Sequence, residues 1–550
     1  MPPAHRRGPA AMPRQKQARN DPARLGQGQG KKKFVVELRM IATLPPQSHV
    51  RVTTGAIAIT ETSLAKADAV VIAFERGADA VARLEAVAFG ALLRPLFERE
   101  RAAGHEWPVL VTRLPNRRQT LAAIGFVKPG AAGFERLDLA GKLAREVVKP
   151  GVAAVQLHAS GFGDDGGSDA MLDAILSAVL AHAAPMPELK SKPTPPAPLA
   201  RIEVASARVD FVDRCVAEAE GNHMARWLAT LPPNVLDTLG YRKTLQQLAK
   251  REGWGFEFHD IAALEKLGAG AFLAVARANP HRRAGIARLS YRPARSRAKV
   301  RAVALVGKGI CFDTGGINLK PHKSMFTMHG DMQGSAVAVG TLLALARLRV
   351  PFPVDCWVAL TENQIGPTAF RPQEIVRALN GVTIQVVHSD AEGRMVLADT
   401  LTLATRDKPR LVLDFATLTG ACVVALTDRY AGAFTNRPGL HEWLQRTGRE
   451  SGERVWCFPM DEDFDVELES SVADVQQCTP DSKGDHILAA RFLGRFVEPG
   501  VPWVHVDLAA SEHKGGLAHV PTEFTGFGVR YAVHLLGDAA GLDDRLQDSD

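Results

Sequence analysis

The chain is expected to fold as an α/β protein of two domains, a smaller N-terminal one and a larger C-terminal one with a mixed central sheet flanked by helices. Three features lead there. Apolar, β-rich runs such as A-D-A-V-V-I-A-F around Val71 and A-V-A-L-V ending at Val306 alternate with helical stretches. The length of 550 residues exceeds one typical domain. Finally, Pro185 to Pro198 reads P-M-P-E-L-K-S-K-P-T-P-P-A-P, an extended and semi-rigid spacer that breaks the alternation.

Taken in order, residues 1–33 are a disordered basic tail, too poor in apolar residues to bury themselves. Residues 34–184 form the N-terminal α/β domain. Strands are predicted near Val36, Val71 and Leu110, and helices over 87–97 and 170–184. Residues 185–200 are the linker, and residues 201–550 the C-terminal domain. There the pattern predicts helices over 209–230, 241–252, 335–348 and 395–405. Strands are predicted over 302–306, 354–360 and 410–415. Residues 374–387 read as a hairpin, with Asn380-Gly381 as a type I′ turn signal.

Two charged clusters stand just past β-rich runs. The first is G-K-G-I-C-F-D-T-G-G-I-N-L-K-P from Gly307 to Pro321, followed by G-D-M-Q-G at Gly330 to Gly334. The second is H-S-D-A-E-G-R-M from His388 to Met395. Charge at the exit of a buried strand marks the edge where α/β sheets bind ligands. Asp313, Asp331, Asp390 and Glu392 would repel one another unless positive charge sat between them. Such oxygen-rich clusters hold divalent metal, and paired metals make a hydrolytic centre. Asp390 and Glu392 are two apart, so in extended backbone they point the same way. Gly315, Gly316 and Gly393 allow close approach or positive φ. Lys308, Lys320 and Arg394 are left to neutralise a carboxylate or polarise a carbonyl. The bland alternative is a set of loop salt bridges.

These motifs resemble the signatures of the leucine aminopeptidase (cytosol aminopeptidase) family of two-metal metallopeptidases. The resemblance continues in D-F-A-T-L-T-G-A-C-V-V-A-L at Asp414 to Leu426 and P-P-N-V-L at Pro232 to Leu236, and covers roughly the last 340 residues. It implies a hydrolase that releases N-terminal amino acids from peptides with a free N-terminus, in intracellular peptide turnover. It implies two divalent ions, zinc or manganese, on Lys308, Asp313, Asp331, Asp390 and Glu392, with a metal-activated water as nucleophile. Lys308 would ligate as a neutral amine. Lys320 would stabilise the oxyanion, and Arg394 would hold bicarbonate. Met328, Thr417, Gly420 and Ala509 match positions that line the first side-chain pocket, and a homohexamer is implied. The chain departs from the family at His388, at Asp331-Met332-Gln333-Gly334-Ser335, at Gln364 and at D-S-K-G-D-H-I, Asp481 to Ile487.

Composition narrows the alternatives. With 46% hydrophobic and 23% charged residues the chain is an ordinary globular protein, and no apolar run reaches the roughly 18 residues of a membrane span. Six scattered cysteines argue for reduced thiols and a cytoplasmic location. The net charge of +7 is misleading: nine Lys/Arg against one Asp put +8 in residues 1–33 and leave the rest at −1. That tail could touch nucleic acid through phosphates. Two other readings therefore stand beside the peptidase: a two-metal phosphoesterase, and a nucleic-acid-binding protein using the tail and the N-terminal domain.

Overall fold

Strand β2 (Ala69–Glu75) shows how the first sheet is built. Val71 and Ala73 enter one core, while Val70, Ile72 and Phe74 enter another, so the apolar run is continuous because both faces are covered. The computed structural model describes residues 43–163, 166–192, 198–294, 300–481, 483–537 and 545–546. The expected basic tail and the expected strand near Val36 lie outside them. The described residues belong to one compact unit, Thr43–Asp550.

The first sheet comprises β1 (Arg51–Thr54), β2, β3 (Leu110–Arg113), β4 (Leu121–Val127), β5 (Ala154–Ser160) and β6 (Arg201–Val204). Its order is β1-β6-β5-β2-β4-β3, parallel except for β3 at the edge. Helices Gly133–Val147 and Gly167–Ala183 cover one face through Leu137, Leu143 and Ile175. Helices Ala80–Ala86 and Gly90–Ala102 cover the other through Leu84, Leu93 and Phe97. The expected C-terminal domain starts at residue 201, yet Arg201–Val204 is β6, paired between β1 and β5. The chain thus returns to the first sheet after the proline-rich stretch, whose Pro185 carbonyl accepts from His223 Nε2 at 2.6 Å.

The second sheet has the order β15-β14-β17-β13-β9-β10-β8-β7. Its strands are β7 (Gly255–Asp260), β8 (Gly285–Tyr291), β9 (Val303–Asp313), β10 (Val354–Asn363), β13 (Leu411–Ala416), β14 (Ala431–Thr435), β15 (Val455–Cys457) and β17 (Trp503–Asp507). The centre, β17, β13, β9 and β10, is parallel, and antiparallel pairs lie outside it, which makes the sheet mixed. A small third sheet joins β11 (Ile375–Arg377), β12 (Thr383–Gln385) and β16 (Val475–Gln476). The hairpin β11–β12 forms as expected, but its turn is not type I′. Only Gly381 has positive φ (94°), and its N–H closes on the Ala378 carbonyl at 2.9 Å. A type I′ turn needs positive φ at both central residues.

The two large sheets are tied by buried charge. The Arg530 guanidinium, in helix Val529–Leu536, pairs with Asp173 of helix Gly167–Ala183 and with Glu218 of helix Asp210–Thr230. All six cysteines are free. Among the described residues no helix is long and apolar enough to cross a membrane.

Candidate active site

Strand β9 outlasts its neighbour. It pairs with β13 from Val303 to Gly307, then runs on to Asp313 beside β10 alone. The sequence reading ended this strand at Val306. The continuation places Lys308 inside the strand, level with the carboxyl end of β13. Ala304 and Val306 face the core formed with Met395 and Val396 of helix Glu392–Thr405, and Lys308 continues that face. Gly393 makes room for it: a Cβ there would lie 2.7 Å from Lys308 Cε. The buried Lys308 Nζ donates to Asp331 Oδ1 and to the Thr417 carbonyl, each at 2.9 Å, and lies 3.0 Å from Glu392 Oε1.

Asp313 ends β9 and accepts from Gly315 N at 2.8 Å and Asn363 Nδ2 at 2.9 Å. The chain then turns at Gly315, whose φ of 84° suits glycine and whose Cβ, if present, would meet Asp390 Oδ1 at 2.9 Å. The returning loop carries Lys320, whose Nζ lies 2.9 Å from Asp313 Oδ2 and 2.6 Å from Asp390 Oδ1. Asp390 and Glu392 are not on extended backbone, as the two-residue spacing suggested. A turn closes from Ala391 N to the His388 carbonyl at 3.2 Å, and Glu392 opens the helix. Ser389 locks this turn to the glycine loop by donating to the Gly315 carbonyl at 2.7 Å and accepting from Asn318 N at 2.8 Å.

The result is a buried cluster in which Asp313, Asp390 and Glu392 each offer an oxygen within 4.8 Å of the others. Burial, then the neighbouring Asp313 carboxylate, pushes Glu392 up to about 8. Burial likewise raises Asp331 to about 6, and burial and Asp313 raise Asp390. Burial opposes the charge on Lys308, but Asp331, Glu392 and Asp313 outweigh it and hold the ammonium above its usual range. A neutral Lys308 therefore requires further positive charge beside it. Asp331 Oδ2 is buried without a hydrogen-bond partner. Carboxylates held this far from their ordinary ionisation, with an orphaned oxygen, fit hard divalent cations. His388 is not part of this set; its Nδ1 accepts from Asp390 N at 3.2 Å, inside the turn.

A cavity of about 1080 Å³ opens over the cluster. Its wall includes Lys308, Asp313, Lys320, Asp331, Asp390, Glu392 and Arg394. Met328, Thr417, Gly420 and Ala509 lie on the same wall, so the structure gathers the expected metal-binding, catalytic and pocket positions around one cavity. Thr417 also donates to Asp331 Oδ1 at 2.7 Å. Arg394 is placed differently from expectation. It is 2% exposed, with Nη2 donating to Asp485 Oδ2 at 2.7 Å and Nη1 to the Gln477 carbonyl at 3.1 Å, so both Nη atoms are engaged while the buried Nε has no partner. Three supports escaped the sequence reading as functional residues. Asn363 bridges Asp313 and the Ser389 carbonyl, Gln477 accepts from Val387 N and His388 N, and Asp485 meets Arg394. Asn363 and Asp485 carried a signal, the one standing just past a predicted strand and the other in the segment that departs from the family pattern.

Residues 223–533 match the catalytic domain of the cytosol aminopeptidase family. The chain is 40% identical over 336 residues to a probable cytosol aminopeptidase of Afipia carboxidovorans, covering 61% of this chain and 66% of that one. It is 37% identical over 361 residues to one of Corynebacterium diphtheriae, covering 64% and 71%. The matched stretch spans about two thirds of these relatives' length. Among solved structures, the bottromycin maturation enzyme BotP in complex with Mn superposes with a TM-score of 0.74 at 31% identity, over 86% of this chain and 99% of that one. A cytosol aminopeptidase from Coxiella burnetii shares the fold, with a TM-score of 0.72 at 23% identity over 88% and 98%.

Proposed function

Since the chain belongs to the cytosol aminopeptidase family, we propose that it is a metal-dependent aminopeptidase that releases N-terminal amino acids from peptides. The observation that carries this is the meeting of Lys308, Asp313, Asp331, Asp390, Glu392 and Lys320 in one cavity above the central parallel strands. Asp313, Asp390 and Glu392 would hold one divalent ion, and Lys308, Asp331 and a shared Glu392 a second. Such ions, zinc or manganese, supply Lewis-acid activation of water and of the scissile carbonyl when bound.

The chain's own residues do the rest. Lys320 stays charged, since the Asp313, Glu392 and Asp390 carboxylates outweigh its burial, and it presents a cation for the oxyanion that develops on the peptide carbonyl. The two ions would balance the four carboxylates, and the free α-amine of a peptide's first residue, which an internal peptide bond lacks, is the group that a bound ion would select. Met328, Thr417, Gly420 and Ala509 supply a small, partly apolar wall for the first side chain. Assembly as a homohexamer and a cytoplasmic role in peptide turnover complete the reading. A hexameric mass in light scattering at micromolar concentration supports the assembly, and a monomeric mass refutes it.

The phosphoesterase and nucleic-acid readings gain no comparable support: the basic groups beside the carboxylate cluster are Lys308 and Lys320, each already paired to carboxylates, and the basic tail lies outside the described residues. One assay separates them. The protein, loaded with manganese or zinc, is offered an unblocked leucyl peptide, its N-acetylated form and a phosphate monoester. Release of leucine from the first alone is expected. Equal turnover of the acetylated peptide, or phosphate release, defeats the proposal.

A further inference from the structure

Arg394 is the residue on which the family resemblance would seat a free oxyanion, and the structure already gives both of its Nη atoms an acceptor, leaving only the buried Nε without a partner. Seating a small anion bidentately takes two N–H groups on one edge of the guanidinium. Here Nη2 is held by Asp485 Oδ2 at 2.7 Å and Nη1 by the Gln477 carbonyl at 3.1 Å. The Arg394 side chain is 2% exposed and that of Asp485 19% exposed, so water screens this pair little.

The ordinary explanation of Asp485 is an acid in the first turn of its helix, Asp485–Gly494, where it favours the helix dipole. That explanation would leave the side chain in solvent. Instead it turns inward and becomes part of the cavity wall. Its other oxygen, Oδ1, is buried with no hydrogen-bond partner. Gly484, just before it, has φ of 61°, a left-handed conformation that turns the chain into the helix. Asp485 also falls in D-S-K-G-D-H-I, the segment where the sequence departs from the family pattern.

We infer that Asp485 is a built-in anion: its carboxylate occupies the place on Arg394 that a free oxyanion such as bicarbonate would take, and makes the site independent of one. Asp485 is in this sense a positioning residue, fixing the charge and orientation of Arg394 beside the acidic cluster. The inference rests on the aminopeptidase reading for its kinetic arm but not for its binding arm.

The test uses the full-length, metal-loaded protein and two variants, Asp485→Gly and Asp485→Asn. Melting is followed first, without substrate, with and without added bicarbonate or formate. The wild type is expected to show no shift, and Asp485→Gly to be stabilised by either anion. Turnover of an unblocked peptide is then measured in buffer freed of carbon dioxide. Wild-type kcat is expected to be unchanged by bicarbonate. Asp485→Gly is expected to lose about 10²-fold in kcat and recover with bicarbonate or formate, on the scale of a lost acid–base or charge partner. Asp485→Asn fills the space without the charge, so it is expected to lose turnover, keep its metal and resist rescue. Should Asp485→Gly fail to fold, Asp485→Asn and the wild type carry the test alone. Stimulation of the wild type by bicarbonate overturns the inference, as does an Asp485→Gly or Asp485→Asn protein with full turnover in anion-free buffer. A folded Asp485→Gly that no anion stabilises overturns it as well. If no protein releases an amino acid from any unblocked peptide, the aminopeptidase reading has failed, and the melting arm still decides the role of Asp485.

Discussion

The Lys308 ammonium and the Asp331 carboxylate lie 2.9 Å apart, both buried, with Glu392 Oε1 a further 3.0 Å from the same nitrogen. Lys320 is paired just as closely, to Asp313 and Asp390. A salt-bridge account treats the two lysines alike. The aminopeptidase account does not, and the difference can be measured.

On the aminopeptidase account Lys308→Ala would remove a metal ligand, so bound metal is expected to fall at one site. Lys320→Ala removes a charged donor, so metal is expected to stay while kcat falls about 10²–10³-fold, the usual cost of one oxyanion donor. The effect belongs in kcat because the contact strengthens in the transition state. Metal analysis and steady-state kinetics on the two variants check this. Full metal occupancy in Lys308→Ala, or metal loss in Lys320→Ala, reverses the assignment.

The raised carboxylates give the metal-free protein a signed pH dependence. Burial and Asp313 hold folded Glu392 at about 8, above its ordinary value. A carboxyl raised on folding contributes stability that is full below its unfolded pKa and is lost as pH rises through the folded one. With metal chelated, Glu392→Gln is therefore expected to gain stability relative to wild type between pH 5 and about 8, since the amide mimics the protonated acid. Melting curves of both proteins across that window check it, and a constant difference contradicts it. Metal binding should release protons over the same range, because the ligands must ionise.

The ion network between the sheets yields a stability prediction remote from the cavity. Arg530→Met leaves Asp173 and Glu218 buried without their shared cation. Breaking such a pair by removing one partner costs about 3–5 kcal/mol. Denaturant titration is expected to show that loss, with turnover of the remaining folded protein retained. A loss below about 1 kcal/mol would mean that Arg214 and His534, which also face these acids, suffice.

What the sequence made legible followed from local pattern. Apolar runs ending in charge marked the exits of the central strands, and this located Asp313 on the right edge of the sheet, while Thr417 was reached only through the family resemblance. The glycines interleaved with the acids signalled close approach, which Gly315 and Gly393 provide. Less legible were contacts that join distant stretches. Arg530 and Asp173 are 357 residues apart, and nothing near either one announces the other. Four residues, Arg201–Val204, are too short to carry a periodic signal, so their pairing in the first sheet went unforeseen. Asp485 stands in the sequence only as part of a departure from the family pattern, and its meaning depends on where Arg394 points. Lys308 is expected two residues beyond its strand because a charged residue inside a buried strand is rare, and the facing carboxylates of Asp331 and Glu392 are the circumstance that permits it.

The central claim is that Lys308, Asp313, Asp331, Asp390 and Glu392 form a two-ion hydrolytic centre. The most direct measurement is a titration of chelated protein with manganese or zinc, following bound metal per chain and leucine release from an unblocked peptide together. The account expects turnover to be absent in the chelated protein and to saturate at two ions per chain, and expects Glu392→Ala to bind fewer ions and remain inactive. Full turnover after complete chelation, or a well-folded Glu392→Ala protein with both metals bound and wild-type turnover, would contradict it.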